Sequence, residues 1–220
     1  MILFAGDSFS ANNESNTWVD IVASKFNLKY KNVSFRGSSL YHAYTMIKKN
    51  KEDILLKKYD YIIITCTNTQ RIPYCPDPTL SYWTGNPSPI TSIQTEIEQS
   101  LSHFTYYTYF YNNTFHRWIY KKIITELSYE IPFYVKKLIF LSNFNDSVDI
   151  LKKTYAENPT FLYTELPMFK FANHKDDNIF KNHMDETTNI NFGNKLYNEL
   201  KKTPHGLINL NINELKSIKI

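Results

Sequence analysis

The sequence predicts a doubly wound α/β domain, in which helices cover both faces of a parallel sheet of about five strands. Hydrophobic runs alternate along the chain with helical patterns, which is typical of such a sheet. The clearest run, at residues 61–64, is β-branched and lacks polar alternation, as in a strand buried on both faces. With 220 residues, of which 42% are hydrophobic, the chain suits a single domain spanning residues 1–220.

The individual elements follow from local patterns. Short apolar or β-branched runs predict the strands, and apolar residues recurring every three or four positions, such as Trp18, Val22 and Phe26, predict the helices. The predicted strands are residues 2–5, 29–33, 61–64, 137–141 and 160–163. The predicted helices cover about residues 18–26, 41–47, 117–129, 148–155 and 190–202.

An insertion interrupts this order at about residues 71–114. Prolines at 73, 76, 78, 87 and 89 break regular elements there, and aromatic residues are frequent. Long loops in compact domains are often binding loops, so Tyr74 and Trp83 are candidate substrate-binding residues. Alternatively, these rings pack the insertion onto the domain or form an oligomer contact.

Composition excludes several other classes. The net charge of +4 arises from 25 basic and 21 acidic residues without a long block of like charge, so nucleic-acid binding is not indicated. The apolar run at the start is too short for a signal peptide, and no stretch approaches the roughly 20 apolar residues of a membrane span. We therefore expect a cytoplasmic protein.

The two cysteines, Cys66 and Cys75, have no second Cys or His at a metal-ligand spacing. We expect free thiols, and neither a metal nor an organic cofactor.

Three polar or glycine positions follow predicted strands and suggest acyl-transfer chemistry. Ser8 comes after Gly6 and Asp7 at the end of the first strand, where its hydroxyl would project into the crevice of the sheet. The backbone N–H groups of Ser8 and Gly37 and the side-chain amide of Asn68 are candidate donors to an oxyanion. Each position also has an ordinary structural explanation as a turn or cap residue.

A serine nucleophile needs a base, and the six histidines are the candidates. His183 lies in a polar loop directly before the last predicted helix, at the crevice side of the sheet, and His174 is its rival. Asp176, Asp177 and Asp185 lie nearby as candidate orienting carboxylates, and we favour Asp177.

Together these residues resemble the four ordered blocks of the SGNH (GDSL-like) hydrolases. The blocks correspond to Gly6-Asp7-Ser8-Phe9-Ser10, to Gly37 within residues 33–39, to Asn68 and to His183. The resemblance implies a flavodoxin-like, three-layer α/β/α fold with Ser8 as nucleophile and His183 as base. It also implies an oxyanion hole formed by the Ser8 and Gly37 amides and the Asn68 side chain.

Two departures from the family pattern bear on this interpretation. The family's Gly-x-Asn-Asp block reads Cys66-Thr67-Asn68-Thr69 here, and Phe180 stands where the family usually has the triad aspartate. The site would then be a Ser–His dyad, with a backbone carbonyl or a displaced Asp176 or Asp177 orienting the imidazole. Residues 182–186 also look similar to compact SGNH-like proteins of tailed bacteriophages, in which case the protein would act in the host cytoplasm or the virion.

The sequence therefore predicts a serine ester hydrolase acting on acyl or acetyl esters. The aromatic insertion suits stacking on sugar rings, so O-acetylated carbohydrate is the first expectation and a short-chain or lipid ester the second. A degenerate hydrolase serving as a binding or structural virion protein is the alternative, favoured by the two departures. Hydrolysis and acyl transfer to an alcohol are not distinguished by sequence, and oligomerisation is left open.

Overall fold

A computed structural model describes residues 1–11, 16–36, 38–69, 73–74, 83–84, 112–171 and 184–210. Six of the described strands form one parallel sheet, in the order β2-β1-β3-β6-β7-β8, and the other two form a separate antiparallel pair, β4-β5. The strands are β1 (Ile2–Ala5), β2 (Tyr30–Asn32), β3 (Tyr61–Cys66), β4 (Pro73–Tyr74), β5 (Trp83–Thr84), β6 (Lys137–Ser142), β7 (Leu162–Thr164) and β8 (Gly206–Ile208).

Helices connect the strands of the large sheet. They are α1 (Trp18–Phe26), α2 (Leu40–Lys49), α3 (Lys51–Leu55), α4 (Asn113–Glu130), α5 (Asn145–Glu157) and α6 (Glu186–Lys202), with a 3₁₀ turn at Met168–Phe171. No helix in the described ranges is long and apolar enough to cross a membrane.

Each face of the sheet has its own apolar core, because successive side chains of a strand point to opposite faces. In β1, Ile2 and Phe4 belong to the core that α1 and α6 cover, whereas Leu3 and Ala5 belong to the core beneath α2 to α5. All four side chains are fully buried. The predicted three-layer α/β/α architecture is therefore confirmed.

The prediction of about five strands was one too low. The sixth strand, β8, pairs with β7 at the edge of the sheet, with Leu162 opposite Gly206. It has three residues, fewer than the four- or five-residue segments by which the other strands were predicted, and Leu207 at its centre is 43% exposed. The five-residue helix α3 was also not predicted.

Most of the predicted insertion at residues 71–114 lies outside the described residues. Within it, the backbones of β4 and β5 pair in antiparallel register, with Tyr74 opposite Trp83. The two aromatic residues singled out from the sequence are thus partners across one short ladder. The roles of their side chains, like the single-domain organisation, stay predictions.

Candidate active site

Ser8 lies in a tight turn at the carboxyl end of β1. The Asp7 carbonyl accepts the backbone N–H groups of Ser10 at 3.1 Å and Ala11 at 2.8 Å, which closes one turn of chain around Ser8. Ser8 is half-buried, while Asp7 and Phe9 on either side are buried. The turn thus fixes the backbone of Ser8 and leaves its side chain partly accessible.

Gly6 allows this turn to approach the neighbouring strand. Its φ of +153° is unusual for a residue with a side chain, and a Cβ at this position would overlap the Thr65 Oγ1 atom. The Gly6 carbonyl accepts the Phe35 N–H at 3.0 Å and the Ser38 hydroxyl at 2.7 Å. The two segments flanking Gly37 in sequence are therefore bound to the turn that carries Ser8, although Gly37 itself lies outside the described residues.

Hydrogen-bonded hydroxyl groups connect this turn to its neighbouring segments. Ser10 Oγ lies 2.7 Å from Thr65 Oγ1 and donates to Ser34 Oγ at 2.8 Å, and Thr65 Oγ1 accepts the Asp7 N–H at 3.3 Å. Ser10 is fully buried and Thr65 is 1% exposed. These contacts join the turn after β1 to β3 and to the segment after β2.

The buried Asp7 carboxylate is tied to a residue that sequence reasoning missed. Asp7 Oδ1 accepts the Phe9 N–H at 3.1 Å and the Asn143 side-chain amide at 2.7 Å. Asn143 directly follows β6, and its own N–H donates to the Cys66 carbonyl at 2.9 Å. The sequence did contain a signal for this residue. Asn143 is a polar residue that comes directly after a buried strand, just as Ser8 and Asn68 come after β1 and β3.

Asn68 lies at the same edge of the sheet, just after β3. Ala5 and Ile64 are register partners, so Ser8 and Asn68 follow one register pair by three and four residues. The neighbours of Asn68 are held firmly: the Thr67 carbonyl accepts the Tyr120 hydroxyl at 2.6 Å, and Thr69 donates from its N–H and its hydroxyl to Asp146 Oδ2 at 2.7 and 2.6 Å. Asn68 itself is half-buried.

Three buried oxygen atoms along this edge have no hydrogen-bond partner among the described residues: Asn143 Oδ1, Thr67 Oγ1 and Asp146 Oδ1. A buried polar atom without a partner costs free energy, so their occurrence together marks this edge as distinct from the apolar core. Each such atom in a folded protein calls for an explanation, and a catalytic role is one of the recognised explanations.

Cys66 is not an alternative nucleophile. Its thiol is free and fully buried at the end of β3. Burial raises the pKa of the Cys66 thiol far above its usual range, and the nearby Asp7 carboxylate adds to the effect. The reactive form of cysteine is the thiolate, so this side chain stays inert. Burial likewise raises the pKa of Tyr120, which keeps its hydroxyl as a donor.

His183 and Asp177, with Asp176 and His174, lie outside the described residues. The chain is described again from Met184, which is fully buried, and α6 begins directly afterwards. Asp185 accepts the Thr188 N–H at 2.6 Å and so caps the first turn of α6. Of the three carboxylates considered from sequence, Asp185 therefore already has a structural role.

The described histidines occupy other positions. His42 is 9% exposed on α2, His116 lies on α4, and His205 immediately precedes β8. Within the described ranges, no three side chains of the metal-ligating types His, Cys, Asp and Glu cluster together.

Comparison with known proteins shows a shared fold. No protein-family model matches the chain, and no curated protein matches it. Among solved structures, a carbohydrate esterase family 2 enzyme with a carbohydrate binding domain, from Corynascus thermopiles, is similar with a TM-score of 0.53 at 10% sequence identity. That match covers 90% of this chain and 64% of the longer one.

Two further solved structures are similar at lower scores. A lipolytic protein of the G-D-S-L family from Desulfitobacterium hafniense DCB-2 has 12% identity, a TM-score of 0.46, and coverage of 90% of this chain and 97% of its own. Axe2, an acetylxylan esterase from Geobacillus stearothermophilus, has 14% identity, a TM-score of 0.43 and 74% coverage of each chain. The likeness to the carbohydrate esterase family 2 enzyme shows a shared fold, in agreement with the predicted three-layer α/β/α architecture.

Proposed function

We propose that this chain is a serine ester hydrolase in which Ser8 is the nucleophile and His183 its base. The observation that carries the proposal is the placement of Ser8: half-buried, in a tight turn at the carboxyl end of a central strand, with its neighbour Asp7 anchored to Asn143. Ligands of open α/β sheets bind at this edge. A rigid turn that presents a hydroxyl there suits nucleophilic attack, which depends on exact positioning.

The proposed reaction proceeds through an acyl-enzyme. Ser8 Oγ attacks the ester carbonyl carbon while His183 accepts the hydroxyl proton, and the oxyanion is held by the Ser8 and Gly37 N–H groups and the Asn68 side-chain amide. The C–O bond to the alcohol then breaks, and His183 returns the proton to the leaving alcohol. Water, deprotonated by the same imidazole, attacks the acyl carbonyl carbon; the bond to Ser8 Oγ then breaks, and His183 returns the proton to Ser8 as the acid leaves.

Support for the oxyanion hole comes from the contacts around its members. Gly6 binds the segments on both sides of Gly37 through one carbonyl, and the residues on both sides of Asn68 are hydrogen-bonded to α4 and α5. Donors held in advance stabilise developing charge without reorganising during the reaction. We propose Asp177 as the carboxylate that orients His183, with Asp176 as the alternative.

The proposed substrate is an acetyl ester on a carbohydrate. A carbohydrate esterase shares the fold, and the backbones of Tyr74 and Trp83 are register partners in β4 and β5, which places two residues of the aromatic type that stacks on sugars next to each other. Fold alone does not determine substrate, so the test compares ester classes directly. Acetylated xylo-oligosaccharide, p-nitrophenyl acetate and p-nitrophenyl octanoate separate carbohydrate, short-chain and lipid-like esters.

The decisive variant is Ser8→Ala, with Ser24→Ala on the exposed surface of α1 as the matched control. We expect Ser8→Ala to lower kcat on the best ester by a factor of about 10⁴ or more, since losing the nucleophile removes the covalent route. Ser24→Ala should match the wild type. Wild-type activity that survives Ser8→Ala would overturn the assignment, and a folded wild type inactive on all three esters would favour the binding-protein alternative.

A further inference from the structure

The amino ends of α1 and α6 meet at the edge of the sheet that carries Ser8. Asn189, one turn into α6, is fully buried between them. Its side-chain Oδ1 accepts the N–H of Trp18, the first residue of α1, at 3.0 Å. Its Nδ2 donates to the carbonyls of Met184 at 3.0 Å and Asp185 at 3.2 Å.

Trp18 continues this connection to the turn after β1. Its indole N–H donates to the Phe9 carbonyl at 2.7 Å, and its fully buried ring packs edge-on against Phe4 and Phe192. An indole has a single donor and is usually bonded when buried. Here the indole N–H donates to a backbone carbonyl of the turn that carries Ser8.

The two ends of the connection are adjacent in sequence to the proposed nucleophile and base. Phe9 follows Ser8, and Met184 follows His183, and neighbouring Cα atoms are fixed at about 3.8 Å by the trans peptide. Three hydrogen bonds therefore join the two backbones: the Trp18 indole N–H donates to Phe9 O, the Trp18 backbone N–H donates to Asn189 Oδ1, and Asn189 Nδ2 donates to Met184 O.

The Trp18–Asn189 hydrogen bond ties the ends of the two helices to each other rather than to their own flanking residues. The first N–H groups of a helix lack partners within it and are usually capped by a neighbour in sequence. Local contacts also occur at both ends: the Thr17 N–H, just before α1, donates to Asp20 at 2.9 Å, and Asp185 caps α6. The acceptor for Trp18 instead comes from Asn189, 171 residues away.

We infer that Trp18 and Asn189 form a clasp that sets the position of the His183 segment relative to the Ser8 turn, as positioning residues of the proposed hydrolase. The inference rests on the proposed function and adds to it two residues outside the family-like blocks. A misplacement of about 1 Å between reacting groups can cost 10²-fold in rate, which gives such a clasp a direct effect on turnover.

The test measures kcat and KM on p-nitrophenyl acetate for Asn189→Ala, Trp18→Phe and the double variant, below their unfolding temperatures. Asn158→Ala is the control for Asn189→Ala, since Asn158 is 6% exposed and donates to Ser128 at 3.1 Å at the end of α5, before β7. Phe192→Leu is the control for Trp18→Phe, because it shrinks the same apolar cluster without removing a hydrogen bond.

We expect each clasp variant to lower kcat about 10–100-fold with KM changed less than about threefold, because positioning affects the transition state. The double variant should lose little more than either single variant, since both break one connection. The controls should keep kcat within about threefold despite lower unfolding temperatures. Because Trp18→Phe leaves α6 intact, it tests the clasp even if Asn189→Ala does not fold.

If the wild type is active and the clasp variants retain the kcat of their controls, the clasp is overturned while the proposed function stands. Additive losses in the double variant would also contradict it. If the folded wild type neither hydrolyses the ester nor reacts at Ser8 with a fluorophosphonate, the proposed function fails first, and the clasp fails with it.

Discussion

Asp7 and Asn143 show how single side chains determine the shape of the candidate site. A buried carboxylate is costly unless donors surround it, and Asp7 Oδ1 receives two, from the Phe9 N–H and the Asn143 amide. The Asn143 contact crosses the end of β3, the strand between β1 and β6. One hydrogen bond thus links the turn of Ser8 to a strand that is not its neighbour.

At the same scale, Asn68→Ala tests the proposed oxyanion donor. Loss of one such donor typically costs about 10²–10³ in kcat, so the variant should be slow but measurable, with little change in KM. Steady-state kinetics on p-nitrophenyl acetate provide the measurement. Asn145→Ala, an exposed amide at the same edge, is the control and should resemble the wild type. An unchanged kcat in Asn68→Ala would exclude this role.

His42 predicts a pH dependence of stability. Burial lowers the pKa of His42, an effect to which Lys49 adds and which a hydrogen bond to the Val33 carbonyl opposes. The unfolded chain, with a histidine pKa of about 6.5, therefore binds protons at a pH where the folded protein holds this imidazole neutral. Stability should thus fall as pH decreases below about 6.5.

The variant His42→Gln keeps an amide that can donate to Val33 and removes the titrating group. Urea unfolding at pH 7.5 and 5.5 should give a smaller difference in the free energy of unfolding for the variant than for the wild type. His116, whose pKa burial also lowers, is common to both proteins and cancels in the comparison. Equal pH differences in the two proteins would show that His42 does not contribute.

Single residues also mark the limits of sequence reasoning about the site. Ser8 and Asn68 could be found because each follows a recognisable strand, and the same rule would have found Asn143 after β6. Asn189 could not be found that way. It lies inside a helix, and its role depends on the meeting of two helices that are distant in sequence, which no local pattern encodes.

At the scale of elements, the close packing of α1 on α6 brings Trp18 and Asn189 together. Gly193 permits this approach, since a Cβ there would lie 2.8 Å from Ile21 Cγ2 and 3.3 Å from the Trp18 Cα atom. The half-buried Ile21 side chain can move, whereas the Trp18 backbone is held by its hydrogen bond to Asn189. The helices can pack at this distance because Gly193 has no side chain.

Gly193→Ala should consequently destabilise the protein. Alanine gains about 1 kcal/mol of helix propensity over glycine, but forcing a methyl group into a packed interface costs about 1–3 kcal/mol. We expect a net loss of about 1 kcal/mol in urea unfolding. Asn198→Ala on the exposed face of α6 should instead be neutral or slightly stabilising. A more stable Gly193→Ala variant would contradict the packing argument.

The elements of the sheet differ in how far their sequences predict them. The prediction for α1 matched its observed bounds, because its apolar residues repeat at helical spacing, and β3 and β6 are continuous apolar runs. β8 is short and half-exposed, so its strand character comes from pairing with β7 rather than from its own residues. Whether such an edge segment forms a strand commonly depends on its tertiary contacts.

At the scale of the whole molecule, the topology gathers distant residues at one edge. The carboxyl ends of β1, β3 and β6 lie at this edge, and the amino ends of α1 and α6 lie there too. Hydrogen bonds and strand register connect the segments near residues 8, 18, 68, 143 and 189. Two apolar cores, one on each face, hold the sheet beneath them. We propose that this edge of the sheet activates Ser8.

A fluorophosphonate reacts covalently with an activated serine and therefore reports whether Ser8 is activated. The folded wild-type protein should gain one phosphonyl group, which peptide mass spectrometry should locate on Ser8, and Ser8→Ala should gain none. His183→Ala should react far more slowly, because the hydroxyl then lacks its base. A folded wild type that stays unmodified, or that is modified at a residue other than Ser8, would contradict the account.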